Sequence, residues 1–278
     1  MYTKLHTDVG EHVSVRRGIF HLKLCRGEHP MKAPNPFALA IALALALQGV
    51  PAAAQSAGDG YLFHPPVATI GLRGGYSAAT AGSDVFDDVT RQLTLNKGDF
   101  GSLTVGADIG LRITSKLDIT VDAGYSRSSH KSEFRDFVDN NDLPIEQTTT
   151  FERIPFTANL KLHLAPPGRS IGTLAWIPSR FVPYIGGGIG VMRYRFEQQG
   201  DFVDFNTNAV FNSSFDAQDW AFVQQVMAGA EYNVSPKFGV TFDARYLHGR
   251  GTLGAAFNGY DKIDLSGVSG SVGLSLRL

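Results

Sequence analysis

The chain has 278 residues, 18% of them charged, 31 Gly, one Cys and a net charge of −1. That balance excludes a nucleic-acid footprint, and no apolar run reaches the ~18 residues of a spanning helix. The length fits one all-β domain or two small ones.

The longest apolar run, residues 37–47 (FALAIALALAL), follows Met31 and Lys32 and exits through Pro51, Ala52, Ala53 and Ala54. A basic start, a short apolar core and a small-residue exit make residues 31–54 a Sec-type signal peptide, cleaved after Ala54. Residues 1–30 lie upstream of it, so translation is expected to begin at Met31. The first thirty residues are then a start-site artefact or a disordered extension. Neither Arg16-Arg17 nor Cys25 has the flanks of a twin-arginine or lipoprotein signal. Without residues 1–54, 19 basic and 23 acidic residues remain, a net charge of −4, and no Cys. An exported chain without disulfides needs another staple, such as a closed hydrogen-bond ladder.

Residues 55–66 read as a periplasmic lead. Strand 1 is expected over 67–77, and a long polar segment over 78–101. Residues 103–126, LTVGADIGLRITSKLDITVDAGYS, follow. Leu103, Val105, Ala107, Ile109, Leu111 and Ile113 alternate with Thr104, Gly106, Asp108, Gly110, Arg112 and Thr114. After Ser115-Lys116, Leu117, Ile119, Val121, Ala123 and Tyr125 alternate with Asp118, Thr120, Asp122, Gly124 and Ser126. Side chains on a strand alternate between faces, so this is a hairpin with one apolar and one polar face. Each arm has the roughly 9–11 residues a tilted strand needs to cross a bilayer.

A second long segment is expected over 128–149, strand 4 over 153–164 and a Pro-containing connection over 165–181. Strand 5 is expected over 183–196, a third long segment over 197–219 and strand 6 over 222–234. Strand 7 spans 238–248, the last long segment 249–262 and strand 8 265–278. Apolar residues alternate with polar ones in each strand. Long and short connections alternate too, which puts long loops outside the cell and turns in the periplasm. The fold class is all-β, an eight-stranded antiparallel up-and-down transmembrane barrel over 67–278. Tyr76, Tyr125, Tyr232, Phe238 and Tyr246 face outward near strand ends, as interfacial girdles require.

Eight strands enclose a lumen that side chains can fill. Arg73, Asp108, Arg112, Asp118, Asp122, Lys161, Glu231, Asp243 and Arg245 all take inward positions. Buried charges must pair, which makes a polar plug. A narrow path for ions or small solutes is the alternative. Ser128, His130 and His248 fall near the outer rim, but no catalytic motif joins them and no catalytic residue is assigned. Residues 136–142 are acidic yet lack the Gly and terminal Glu of a calcium loop, so no metal or other cofactor is expected. Phe202, Phe205, Phe211, Phe215 and Trp220 either meet a partner or lipid, or pack together where strands 5 and 6 continue above the membrane.

PYIGGGIGV in strand 5, VMAGAEYNVSPKFGVTFDARY across strands 6 and 7, and the terminal SGSVGLSLRL complete a pattern. With the signal peptide, it resembles the small outer-membrane β-barrel proteins, the group of opacity-type porins and the transmembrane domain of outer membrane protein A. The resemblance implies insertion by the outer-membrane assembly machinery, which reads a last strand usually ending in Phe or Trp; here it ends in Leu278. The expected role is structural or surface interaction in the outer membrane. Its partners are membrane lipid and an extracellular protein met through 78–101, 128–149, 197–219 and 249–262, with no nucleic acid. A porin-like channel is the runner-up. A soluble periplasmic ligand-binding barrel, with its apolar faces turned inward, is a third reading.

Overall fold

The computed structural model describes residues 60–139, 142–172, 175–204, 207 and 209–278. The signal peptide, the upstream extension and Phe205 lie outside the described residues.

Eight long strands carry the fold: β1 (Ala68–Ala79), β2 (Ser102–Arg112), β3 (Leu117–Val138), β4 (Pro144–His163), β7 (Phe181–Asp204), β8 (Ala209–Asn233), β9 (Phe238–Gly251) and β11 (Gly267–Arg277). Each pairs antiparallel with its neighbours in this order, and β11 returns to pair with β1 from Thr69↔Arg277 to Ala79↔Gly267. The pairings form a ring of eight strands, which leaves no open edge at the level of the membrane. In the Gly-rich part of β7, a Cβ at Gly190 would come within 2.0 Å of the Phe156 carbonyl oxygen. Only glycine lets β4 and β7 approach so closely there.

The alternation read from the sequence sets the two faces. Leu72, Leu103, Val105, Ile109, Val121, Leu160, Val226, Phe242, Val272 and Leu274 are exposed on the outer wall. Val121 is 59% exposed while its chain neighbours Thr120 and Asp122 are 5% and 3% exposed. A soluble ligand-binding barrel would place these faces the other way round, so that reading is corrected.

The long connections also need correction. Residues 128–149 and 197–219 are largely not loops: β3 and β4 run to Val138 and from Pro144, and β7 and β8 run to Asp204 and from Ala209. These four adjacent strands have 22, 20, 24 and 25 residues, against 11 to 14 for the other four. About half of each long strand suffices to cross the bilayer, so a curved wall of sheet stands above one side of the mouth. On it, the Phe202 ring lies 5.9 Å from Phe211 and 4.7 Å from Phe215. These three rings thus pack together where the strands continue.

The 165–181 connection holds a small hairpin, β5 (Gly168–Ile171) with β6 (Ala175–Pro178). Leu62 joins it by a bridge to Trp176, which is buried. The segment 249–262 contains a 3₁₀ turn (Ala255–Phe257), and the two-residue strand β10 (Ile263–Asp264) that follows it pairs with the end of β9.

Segment 78–101 is not an extended polar loop either. It folds into helix α1 (Asp84–Gln92) and a 3₁₀ turn (Lys97–Phe100). Asp84 and Asp87 sit in the first turn of α1 and Arg91 in the last, the arrangement its dipole favours. A nine-residue helix is marginal alone. Val85, Phe86 and Val89 fall on one face and are buried, so tertiary packing makes it form.

Candidate functional site

The barrel interior has two zones. The membrane-level zone is charged. Asp122 on β3 is its hub: it accepts from Arg73 at 3.0 Å, Arg245 at 2.8 Å, Asn159 at 2.9 Å and Gln225 at 3.3 Å. Five strands of the ring thus meet at one carboxylate. Arg73 also reaches Asp108 at 3.1 Å, and Arg245 reaches Asp243 at 3.4 Å. Asp243 accepts the hydroxyl of Tyr184.

Nearer the turn end, Asp118 pairs with Arg112 at 3.1 Å and His163 at 2.8 Å. Glu231 pairs with Arg277 and accepts from Ser275 at 2.8 Å. Lys161 places its ammonium 3.9 Å from the centre of the Tyr184 ring. A desolvated cation over an aromatic face gains electrostatic attraction from the ring. The nine charges named from the sequence thus take inward positions in three groups, around Asp122, Asp118 and Glu231, with Arg277, His163, Tyr184, Asn159 and Gln225 among their partners. Period two places each of these on the inner face, but nothing in the sequence tells which partner each would find.

The free space inside this zone is small. A cavity of about 30 Å³, lined in part by Asp108, Asp122, Lys161, Tyr184, Glu231 and Arg245, has room for only a few water molecules.

The zone toward the loops is apolar, contrary to the uniformly polar interior the sequence suggests. Phe151 of β4, Met192, Tyr194 and Phe196 of β7, and Ala217, Ala221 and Val223 of β8 point inward and are buried. Val85, Phe86 and Val89 of α1 cover them, together with Leu93, Leu95, Phe100, Phe257, Ile263 and Leu265. Phe86 is completely buried, with ring centroids 4.6 Å from Phe100, 5.4 Å from Phe151 and 5.6 Å from Phe196.

Polar anchors hold this cap. Gly82 N donates to Asp264 at 3.0 Å, Asp264 N to Ser83 at 3.1 Å and Asp261 N to Asp84 at 2.8 Å. Burial, with Asp88 beside the hydroxyl, pushes the Tyr260 phenol above its ordinary range. Arg153, 4% exposed, lies beneath the cap with its guanidinium 2.9 Å from Ser77 Oγ.

The rim residues do not assemble a catalytic set among the described residues. Ser128 donates to the Phe151 carbonyl at 3.4 Å, His248 meets Ser266 at 3.1 Å, and His130 is exposed. On the outer wall, Tyr76, Tyr125 and Tyr246 lie toward the loop end and Tyr232 and Phe238 toward the turn end, all exposed. Trp220 also faces outward, with its ring 6.1 Å from Phe156.

An outward apolar belt, a ring of antiparallel strands and inward charges paired with one another define an integral outer-membrane barrel. The chain belongs to the family described as outer membrane protein beta-barrel domain, whose model matches residues 40–275. Its place is the cell outer membrane. Among solved structures it is similar to the neisserial surface protein A: 15% identity, 76% of this chain and 96% of that one, TM-score 0.43. It is also similar to the outer membrane protein OprG from Pseudomonas aeruginosa: 13% identity, 78% and 99% covered, TM-score 0.42. A third is Ail, the attachment invasion locus protein of Yersinia pestis: 12% identity, 77% and 100% covered, TM-score 0.40. No curated protein matches the chain.

Proposed function

We propose that this protein is a closed outer-membrane barrel with a structural and surface-interaction role, its interior sealed in two layers. The observation that carries this reading is Phe86, seated among Phe100, Phe151 and Phe196 in the barrel mouth. A ring buried there blocks the path by which a solute would enter from the loop end. The paired charges below it form the second seal. The tall wall of β3, β4, β7 and β8 supports a role at the cell surface, because it puts ordered sheet well outside the membrane.

The test is conductance of the full chain in planar bilayers. The barrel should insert, migrate differently on gels before and after boiling, and pass no steady current. Steady single-channel conductance from the unaltered protein would refute the seal and install the porin-like channel in its place.

A further inference from the structure

We propose that the upper half of β8 is a docking edge that takes up an extended peptide segment of another protein by strand addition. This rests on the surface-interaction reading above and names its site and its class of partner.

β8 pairs with β7 along its whole length, from Phe181↔Tyr232 to Asp204↔Ala209. Its pairing with β9 begins only at Val223↔Gly249. Residues 209–221 therefore have a strand on one side and, among the described residues, none on the other. The register shows which groups are open. Leu265 N donates to Gly249 O at 3.0 Å, so Gly249 turns away from β8 and His248 turns toward it. Gln224, opposite His248, bonds toward β9. Backbone groups alternate sides along an antiparallel strand, and the β7–β8 register has no shift. Val210, Asn212, Ser214, Asp216 and Gln218 thus present their backbone N–H and C=O to the open side. Trp220 N, next in this series, is met by the Asp219 carboxylate at 2.7 Å.

The opposite edge of the same wall is treated differently. On β3, Leu93 bridges Phe134, Thr94 N donates to Glu133 O at 2.9 Å and Arg135 Nε donates to Leu93 O at 2.8 Å. The cap stitches that edge shut. The β8 edge carries none of the Lys or Pro that natural edges use against pairing.

The chemistry of the edge selects an occupant. A second copy in the same membrane stands the same way up, so its β8 would run in the same direction and could pair only in parallel. A free segment can add antiparallel, the more stable ladder per residue. Phe211 and Phe215 lie half-buried on one face of the edge; Asn212, Ser214, Asp216 and Gln218 are exposed on the other. Residues 209–221 carry two Asp and no Lys or Arg; Asp216 is paired with Arg195 of β7 at 3.1 Å and Asp219 accepts from Thr252 at 2.9 Å, so the edge is polar with its charge largely met. The fitting partner strand alternates apolar residues, facing the phenylalanines, with polar ones.

The test uses the full chain in lipid nanodiscs and a synthetic peptide of alternating Val and Lys, with a proline-interrupted peptide of matched charge as control. The Val-Lys peptide should slow amide exchange at Val210, Asn212, Ser214, Asp216 and Gln218. Ser214→Pro removes one open N–H and leaves the β7 ladder intact; it should weaken binding about tenfold, the cost of one unmade buried bond. Ser214→Val should keep full binding. Equal binding of the control peptide, protection elsewhere, or indifference to Ser214→Pro overturns the proposal. So does pairing between copies that Ser214→Pro abolishes. A silent bilayer with no peptide binding removes this edge assignment alone; conductance with edge protection removes the sealed interior alone.

Discussion

Replacing Phe86 by Ala tests whether the cap is a packed lid on an independent wall. Phe86 is fully buried and touches three other rings. Truncating a buried Phe costs about 3–5 kcal/mol, the sum of lost transfer energy and the cavity left behind. α1 contributes only two other fully packed apolar side chains, Val85 and Val89, each worth about 1.5–3 kcal/mol. The loss is therefore comparable to what holds the helix down. An opening equilibrium shifted by 3–5 kcal/mol rises by about 2.2 to 3.7 powers of ten. Trypsin cleavage at Arg91 and Lys97, slow in the native protein, should accelerate by a factor of that order where opening limits access. The barrel wall has its own ladder and should not follow: the shift between unboiled and boiled samples should persist. Unchanged protection of the cap would show that Phe86 is not its anchor. Loss of the gel shift would show that cap and wall fold as one unit.

Three further outcomes follow from the same geometry. Val121→Arg puts a charge on the lipid face and should cost about 2–4 kcal/mol of folding in vesicles, read by denaturant titration; a neutral result would mean the faces are reversed. Asp122→Ala strands two guanidiniums, but each keeps a second carboxylate, Asp108 for Arg73 and Asp243 for Arg245. Its cost should fall near the low end, about 3 kcal/mol, of what breaking a buried pair costs. The Asp122→Leu, Arg245→Met, Asp243→Asn triple change, which leaves no buried charge without its partner, should cost less than Asp122→Ala; an equal or larger loss would deny that unpaired charge is the cause. The Tyr260 phenol is raised above tyrosine's ordinary value of 10.0 by burial and by Asp88. Its contribution to cap docking is complete below pH 10 and declines as pH rises from there toward its own higher value. Amide exchange over residues 84–92 should therefore accelerate above pH 10, and Tyr260→Phe should flatten that dependence.

The faces of the barrel were legible because the lipid imposes one rule along every spanning segment: apolar outward at every second residue. That rule stops at the membrane. In residues 144–150, PIEQTTT, the outer face meets water and the inner face meets the wall's own side chains, so the outward apolar series disappears and the strand reads as a loop. Helix α1 was hidden for a related reason. DVFDDVTRQ offers three apolar residues among three acids and becomes helical because the barrel mouth supplies the apolar surface for its Phe.

The inner charges show how far counting alone could have gone. The nine named from alternation are four cations and five anions, and a set buried at membrane depth cannot carry that excess cheaply. The deficit points to one more cation at an inward position. Period two from Ser269, Ser271 and Ser275 leads to Arg277, and Arg277 is the residue that pairs with Glu231. With it the membrane-level zone holds five of each sign, and Arg153 lies apart from that set, beneath the cap. What counting could not supply is the pairing. Arg245 reaches Asp122 from 123 positions away because closure of the ring brings β9 opposite β3, and closure is a property of all eight strands together. The hub at Asp122 is thus the point where eight local patterns first become one structure, and a substitution there should be felt across the whole ring.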